Sequence, residues 1–387
     1  MNPPDLPDLT PCLPTEQFPI LQNGLYLNHA AVGPWPRCTT EAVQAFAEEN
    51  MLQGSAGYRE WYARESRLRQ GLAELTGAGS ANDIALLKNT TEGICAVAFG
   101  LDWKAGDNIV IPAGEFPSNR LPWLAQGAHG VEIREVDMRT AACAESALSE
   151  AMDKDTRLLA VSAVQWADGF RLDLERLGDI CSRQNTLFFV DAIQQLGALP
   201  MDVEACRIDF LAADAHKWLL APEGIAVFYC RESARPQLKL MQQGWHMFDQ
   251  PWDFERTDWA PATSARRFEA GSPNTMGQAA LHASTTLLLD YGMENVGRRV
   301  LDNSRFLIEE LGELPGLRLS SASEEQRRSG IVSFTHERMQ ATAVHQHLVK
   351  AGVSAVVREG SIRLSPHFYQ GETQLSEFMQ ILQAAIA

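Results

Sequence analysis

Two stretches decide how this chain is read. Thr186-Leu-Phe-Phe-Val190 runs straight into Asp191-Ala-Ile-Gln194, and Ile208-Asp-Phe-Leu-Ala-Ala213 runs into Asp214-Ala-His216-Lys217-Trp218. Both are short, unbroken apolar runs that end in a charged residue. Unbroken runs, as opposed to alternating ones, mark strands covered on both faces. A carboxylate at the end of such a strand is costly without a positive or hydrogen-bonding partner. By itself, Asp191 reads as a helix N-cap. A lysine directly after a buried strand is costly while charged, and such a lysine is a natural Schiff-base former. By itself, Lys217 reads as a side chain that snorkels to the surface.

Outward from these two runs, similar ones recur at Ile84–Leu87, Asn108–Pro112, 131–136, 158–164 and 224–229, with helical patterns such as 91–100 and Leu174–Gln184 between them. The alternation predicts an α/β fold around a mostly parallel sheet. Long helical patterns at 277–291 and 296–311 follow. The remainder mixes helices with short strands at 330–335 and 361–365, which predicts a small α+β C-terminal domain. This divides the chain into an N-terminal arm (1–24) packing with the small domain, a large domain (25–270), and a connecting helix with the small domain (271–387).

The bulk properties exclude several classes of function. A net charge of −16 argues against a nucleic-acid partner, because that affinity is built on basic patches. The apolar stretches are too short or too interrupted to span a bilayer. The N-terminal MNPPDLPDLTPCLP is proline-rich and acidic, so it predicts an extended arm and no signal peptide. The seven cysteines are scattered and contain no C-x-x-C, which predicts free thiols in a reducing cytoplasm. His345 and His347 lack a nearby third ligand, so no metal site is expected.

A third segment completes a constellation. Lys88-Asn-Thr90-Thr91-Glu-Gly93 follows a strand and opens a helix, so its N–H groups and threonine hydroxyls can receive a phosphate. Taken singly it is an ordinary threonine cap with Glu92 complementing the dipole. Taken together, the strand ends carry an anion cradle, a carboxylate, and a lysine 26 residues after the carboxylate. Pyridoxal phosphate requires these groups: a phosphate site, an imine lysine, and a carboxylate that keeps the pyridine nitrogen protonated.

At these residues the sequence resembles the class V aminotransferase group of fold-type I pyridoxal-phosphate enzymes, which includes cysteine desulfurases, kynureninases and isopenicillin-epimerase-like proteins. The resemblance runs from about Leu25 to the C-terminus. Its motifs are Tyr26-Leu-Asn-His-Ala-Ala31, Asn89-Thr-Thr-Glu-Gly93, Gly106-Asp-Asn-Ile109, Glu115-Phe-Pro-Ser-Asn119, Val190-Asp-Ala-Ile-Gln194, His216-Lys-Trp218, Arg267-Phe-Glu-Ala-Gly-Ser-Pro-Asn274 and Ile362-Arg-Leu-Ser365. Each is weak alone; their order and spacing together are not.

The resemblance implies a fold-type I transferase with Lys217, Asp191 and His216 as the catalytic set. Lys217 would hold pyridoxal 5'-phosphate as an imine and shuttle the α-proton. Asp191 would pair with the pyridine nitrogen, and Gln194 would bond the phenolic oxygen. Thr91 and His216 would hold the phosphate with Thr90 close by, while Ser118 would reach the phosphate or the substrate. Phe116 would stack on the ring; without the resemblance it reads as a packed core ring. Arg363 matches the arginine that takes a substrate carboxylate, where the plain reading is a solvated strand-edge arginine. His29 matches a segment lining the substrate side, where the plain reading is a hydrogen-bonded loop histidine. Family enzymes are homodimers, so Ser272 of the partner subunit is expected to complete the phosphate site.

Departures from the family pattern narrow the chemistry. The segment before Arg363 carries no cysteine, and persulfide formation on the enzyme needs a thiolate there. His216 stands where kynureninases carry a tyrosine. Asp214 stands where desulfurases carry a phosphate-binding serine; an anion beside a phosphate is unfavourable, so Asp214 is expected to turn away and support His216. Gln165-Trp166 replaces a typical asparagine, and Trp166 joins the substrate wall. The substrate expected is a small amino compound bearing a carboxylate. The reaction favoured is aminotransferase-like, because it asks for no catalytic residue beyond Lys217. A C–S or C–C lyase is the alternative, an epimerase comes third, and a non-enzymatic binding protein is the remaining class.

Overall fold

The computed structural model describes residues 14–386, apart from Thr140, Arg256 and Asp258. Cys12 and most of the expected arm (1–13) lie outside the described residues. After β1 (Leu25–Tyr26) come two helices, α1 (Arg37–Gln53) and α2 (Tyr58–Thr76), which the sequence reading leaves unassigned. Neither has a clean apolar stripe. The one buried residue of α1 is Thr39, and the inward face of α2 carries Glu65 and Arg69 alongside Leu68 and Leu72. Those charges are tolerable because Arg69 pairs with Glu65 at 2.7 Å and with Glu269 at 2.6 Å.

The large layer follows: β2 (Ile84–Leu87), α3 (Thr90–Ala98), β3 (Asn108–Pro112), α4 (Leu121–Leu124), β4 (Glu132–Val136), α5 (Ala144–Glu150), β5 (Thr156–Ser162), α6 (Leu174–Gln184), β6 (Leu187–Asp191), β7 (Phe210–Asp214) and β8 (Ala226–Cys230). The strand order is β2-β8-β7-β6-β5-β3-β4. Only β8 runs against its neighbours, β7 and β2. The sheet is thus mostly parallel, as the unbroken apolar runs predict. Successive residues of one run feed two different cores: Phe188 and Val190 pack into one, Leu187 and Phe189 into the other. The run predicted at 158–164 is shifted, with β5 ending at Ser162.

Then come α7 (Thr275–Tyr291), α8 (Met293–Gly312), β9 (Leu317–Leu319), β10 (Val332–His336), α9 (Ala341–Lys350), β11 (Val353–Ser354), β12 (Val356–Arg358), β13 (Ser361–Leu364) and α10 (Glu372–Ile386). Four of these strands form an antiparallel sheet in the order β12-β13-β10-β9, with its own core of residues such as Leu307, Phe334, Leu348, Leu364 and Phe378. This is the small domain. The division predicted at residue 25 falls inside its edge, because Leu25–Tyr26 pairs in parallel with Val353–Ser354. The described part of the arm joins the core that holds Phe188 and Val190: Phe18 stacks on Tyr369 at 3.7 Å between ring centroids. Helix α7 lies against α1 and α2.

Because β8 is antiparallel to both β2 and β7, the carboxyl ends of β2, β3, β5, β6 and β7 all point to one edge of the sheet. Ligands bind at that edge in open α/β folds.

Candidate active site

The strand ends enclose a cavity of about 300 Å³ lined by Thr90, Thr91, Phe116, Ser118, Trp166, Asp191, Gln194, Asp214, His216, Lys217, Arg358 and Arg363. Each predicted site residue except His29 and Ser272 is on that wall. Asn89 caps α3, its side chain accepting from Glu92 N at 2.9 Å. The N–H groups of Thr90 and Thr91 sit in the first turn, where a helix offers them no internal acceptor. Thr90 Oγ1 accepts from Asp214 N at 2.9 Å, which ties the helix start to the end of β7. Thr91 Oγ1 donates to Ser118 Oγ at 2.9 Å.

Burial acts on the charged pair. Asp191 is 3% exposed, and burial pushes its carboxyl up to about 6 while Lys217 pulls the other way. Enclosure draws the Lys217 ammonium down to about 8; Asp191 opposes this and Arg363 and Arg358 reinforce it. A neutral amine is what imine formation needs. The lysine is held from behind. Gly33 N donates to His216 O at 2.7 Å, and a Cβ at Gly33 would stand 2.1 Å from Lys217 O, so only glycine permits that approach. Phe116 lies with its ring centroid 5.8 Å from Lys217 Nζ and packs edge-on against Trp166 at 5.6 Å.

His216 Nδ1 is 3.0 Å from Asp214 Oδ1, yet neither atom makes a hydrogen bond. Asp214 therefore faces His216, as its charge requires. Gln194 is already engaged: Nε2 donates to Ala30 O at 3.1 Å, and Oε1 accepts from Trp218 Nε1 at 3.0 Å. One amide hydrogen remains for a ligand. Arg363 donates to Trp166 O at 2.6 Å, its Nε is buried without a partner, and burial draws its guanidinium down to about 10.

One expectation is corrected. His29 does not reach the cavity. It is fully buried, with Nδ1 2.8 Å from Ser365 O and Nε2 2.5 Å from Tyr369 Oη, so both ring nitrogens are satisfied inside an aromatic cluster. A carbonyl accepts only, so Nδ1 carries the proton and Tyr369 donates to Nε2. The motif places His29 near the site in sequence, but the side chain turns toward the small domain. Ser272, expected in the partner subunit's site, is exposed and lines a separate cavity of about 1130 Å³ with Lys88, Asn89 and Asn274, away from its own chain's cofactor wall.

Sequence reasoning missed Arg358, because a lone arginine in Val-Val-Arg-Glu-Gly carries no motif. The signal was the Glu359-Gly360 pair: both residues have positive φ (45° and 78°), and they close a two-residue hairpin that sets Arg358 and Arg363 on one cavity wall. Among the described residues, Glu65, His246 and Glu269 have ligand atoms within 4.8 Å of one another. Arg69 and Arg266 already hold those carboxylates at 2.6–2.7 Å, which disfavours an added cation.

The family profile described as aminotransferase class-V matches residues 25–376. The chain belongs to the class V aminotransferase family. Among similar class V proteins, a probable cysteine desulfurase of Methanothermobacter thermautotrophicus is 30% identical, over 94% of this chain and 94% of its own. An uncharacterized aminotransferase of Bacillus subtilis, YcbU, is 27% identical over 92% and 93%. The cystine C–S lyase C-DES, solved with its reaction product cysteine persulfide, superposes with a TM-score of 0.88 at 26% identity, covering 95% of this chain and 99% of its own. A lysine-to-alanine mutant of that enzyme, solved with glycine covalently linked to the cofactor, gives 0.87 at 27%, covering 95% and 98%. These relatives back the lyase alternative better than the aminotransferase reading.

Pyridoxal 5'-phosphate is the cofactor of this class V enzyme, and the cavity fits it. The free N–H groups of α3, the His216 ring on the wall, the enclosed Lys217 and the buried carboxylate of Asp191 each match one of its groups. No helix among the described residues is long and apolar enough to cross a membrane.

Proposed function

We propose that the protein is a pyridoxal-phosphate-dependent C–S lyase that acts on a cystine-type amino acid. The observation that carries this is the pairing of a complete strand-end site with the absence of any described cysteine from its wall: Cys38, Cys95, Cys143, Cys181, Cys206 and Cys230 all lie elsewhere. An enzyme without a thiol at the site does not take the sulfur onto itself, so the sulfur leaves with the product. Cystine and water then give pyruvate, ammonia and cysteine persulfide, and the atoms balance without an oxidant.

Each residue has a task. Pyridoxal phosphate, when bound, withdraws the electron pair left at the α-carbon. Thr90, Thr91, Ser118 and His216 hold its phosphate at the start of α3, and Asp214 holds His216. Asp191 keeps a proton on the ring nitrogen. Lys217 Nζ, its ammonium brought down to about 8 by burial, takes the α-proton. Arg363 and Arg358 receive the substrate carboxylate, and Phe116 with Trp166 keeps water from the ring face. Ser272 serves the phosphate of a second copy in a homodimer.

The test is to mix the holoenzyme with L-cystine, L-cysteine and other amino acids without any keto acid. Repeated release of pyruvate and ammonia from cystine, with persulfide sulfur in the small-molecule fraction, is the expected result. One-turnover bleaching of the visible cofactor band without pyruvate would return the assignment to an aminotransferase.

A further inference from the structure

Glu115 is 4% exposed, and no described cation forms an ion pair with it. A carboxylate taken out of water without a cation costs several kcal/mol unless hydrogen bonds replace its hydration. Three donors do so here: Ser162 N at 2.6 Å, Ser162 Oγ, and Gln165 Nε2 at 3.2 Å. The partners explain the position. Ser162 ends β5 and is the register partner of Asp191 on β6. Gln165 precedes Trp166, whose Nε1 donates to Gly114 O at 3.0 Å and whose carbonyl accepts from Arg363 at 2.6 Å. A continuous set of bonds therefore runs from Glu115 through Gln165 and Trp166 to the guanidinium that faces the cavity.

We propose that Glu115 is a positioning residue for the substrate carboxylate. It anchors the Gln165–Trp166 segment to the end of β5, and the Trp166 carbonyl in turn aims Arg363. The inference rests on Arg363 as the carboxylate ligand and is independent of which bond the enzyme breaks. A site held by its supporting residues loses function when that support loosens by about an ångström.

The experiment compares two amines that differ only in the carboxylate. Glycine and methylamine are titrated into holoenzyme, and the change in the visible cofactor band gives an apparent affinity for each. In Glu115→Ala, glycine affinity is expected to fall roughly tenfold while methylamine affinity stays within about threefold. Glu115→Gln keeps the acceptor toward Ser162 N and Gln165, so it is expected to stay within about threefold of the parent for both amines. If Glu115→Ala does not fold, Gln165→Ala cuts the same connection and is expected to show the same selective loss. Equal losses for both amines, or no loss for glycine, would overturn the proposal. A parent enzyme that binds glycine no better than methylamine would overturn it through Arg363. Absence of lyase activity would leave the glycine-to-methylamine ratio intact, so the two readings fail separately.

Discussion

At the scale of single residues, the chemistry turns on groups whose protons are displaced by burial. With a pKa of about 8, roughly a tenth of Lys217 is neutral at pH 7, against about 0.03% for an ordinary lysine. Uptake of pyridoxal phosphate by the apoprotein should therefore quicken about tenfold per pH unit below 8 and level off above it. Stopped-flow absorbance measures this, and a rate still climbing at pH 10 would contradict the lowered lysine. The same shifts set the apoprotein's stability. Asp191 and Glu115 are raised to about 6 and about 7, so the stability they lend is full below about pH 4 and is lost as pH rises through those values. Lys217 is lowered, so its contribution grows between pH 8 and the ordinary lysine range. The thermal midpoint of apoprotein should dip near pH 7–8, and Glu115→Gln should flatten the acidic side by on the order of 3 kcal/mol. Parallel pH profiles for parent and variant would refute this. Asp191 and Lys217 were legible in sequence because each ends an apolar run. Glu115 was legible only as part of a motif, since nothing in its neighbours tells that Ser162 and Gln165 will surround it.

At the scale of elements, α3 must lie close enough to the sheet for its first turn to reach the cofactor phosphate. Gly93 sets that distance: a Cβ there would stand 2.9 Å from Ala212 Cβ and 3.1 Å from the Phe228 ring. Gly93→Ala should lift the helix from β7 and β8, destabilise the protein by about 1–3 kcal/mol and weaken cofactor binding. Calorimetry and a fluorescence titration check the two effects, and unchanged cofactor affinity would show that the cradle tolerates the shift. The β12–β13 hairpin works by the same logic on the substrate side, because a two-residue turn leaves no slack between Arg358 and Arg363. Helices α1 and α2 went unassigned in sequence because their inward positions carry threonine, glutamate and arginine. Only the ion pairs made across to Glu269 turn such residues into a buried face.

At the scale of the whole molecule, the site of one chain lacks Ser272, and Trp245 lines the same cavity as that residue. Met241 and Phe254 are exposed, and Trp245 packs edge-on against Trp252 and at a tilt against Phe254. A homodimer that seats Ser272 against its partner's phosphate can be tested by mixing two inactive variants, Lys217→Ala and Ser272→Glu. Random exchange should restore about a quarter of parental activity, because half the dimers are mixed and each of those holds one intact site. No recovery after confirmed exchange would show that each chain builds its site alone. By itself, the sequence determined the α/β class, the strand ends and the cofactor groups, since all of these follow from local apolar pattern and from residues adjacent in the chain. Tertiary structure decided that His29 turns away into an aromatic cluster, that Arg358 joins Arg363 on one wall, and that Glu115 bonds to Ser162 and Gln165 beside Trp166. Those outcomes depend on which distant groups satisfy a side chain's charge and hydrogen bonds, and that is settled only when the strands are laid side by side.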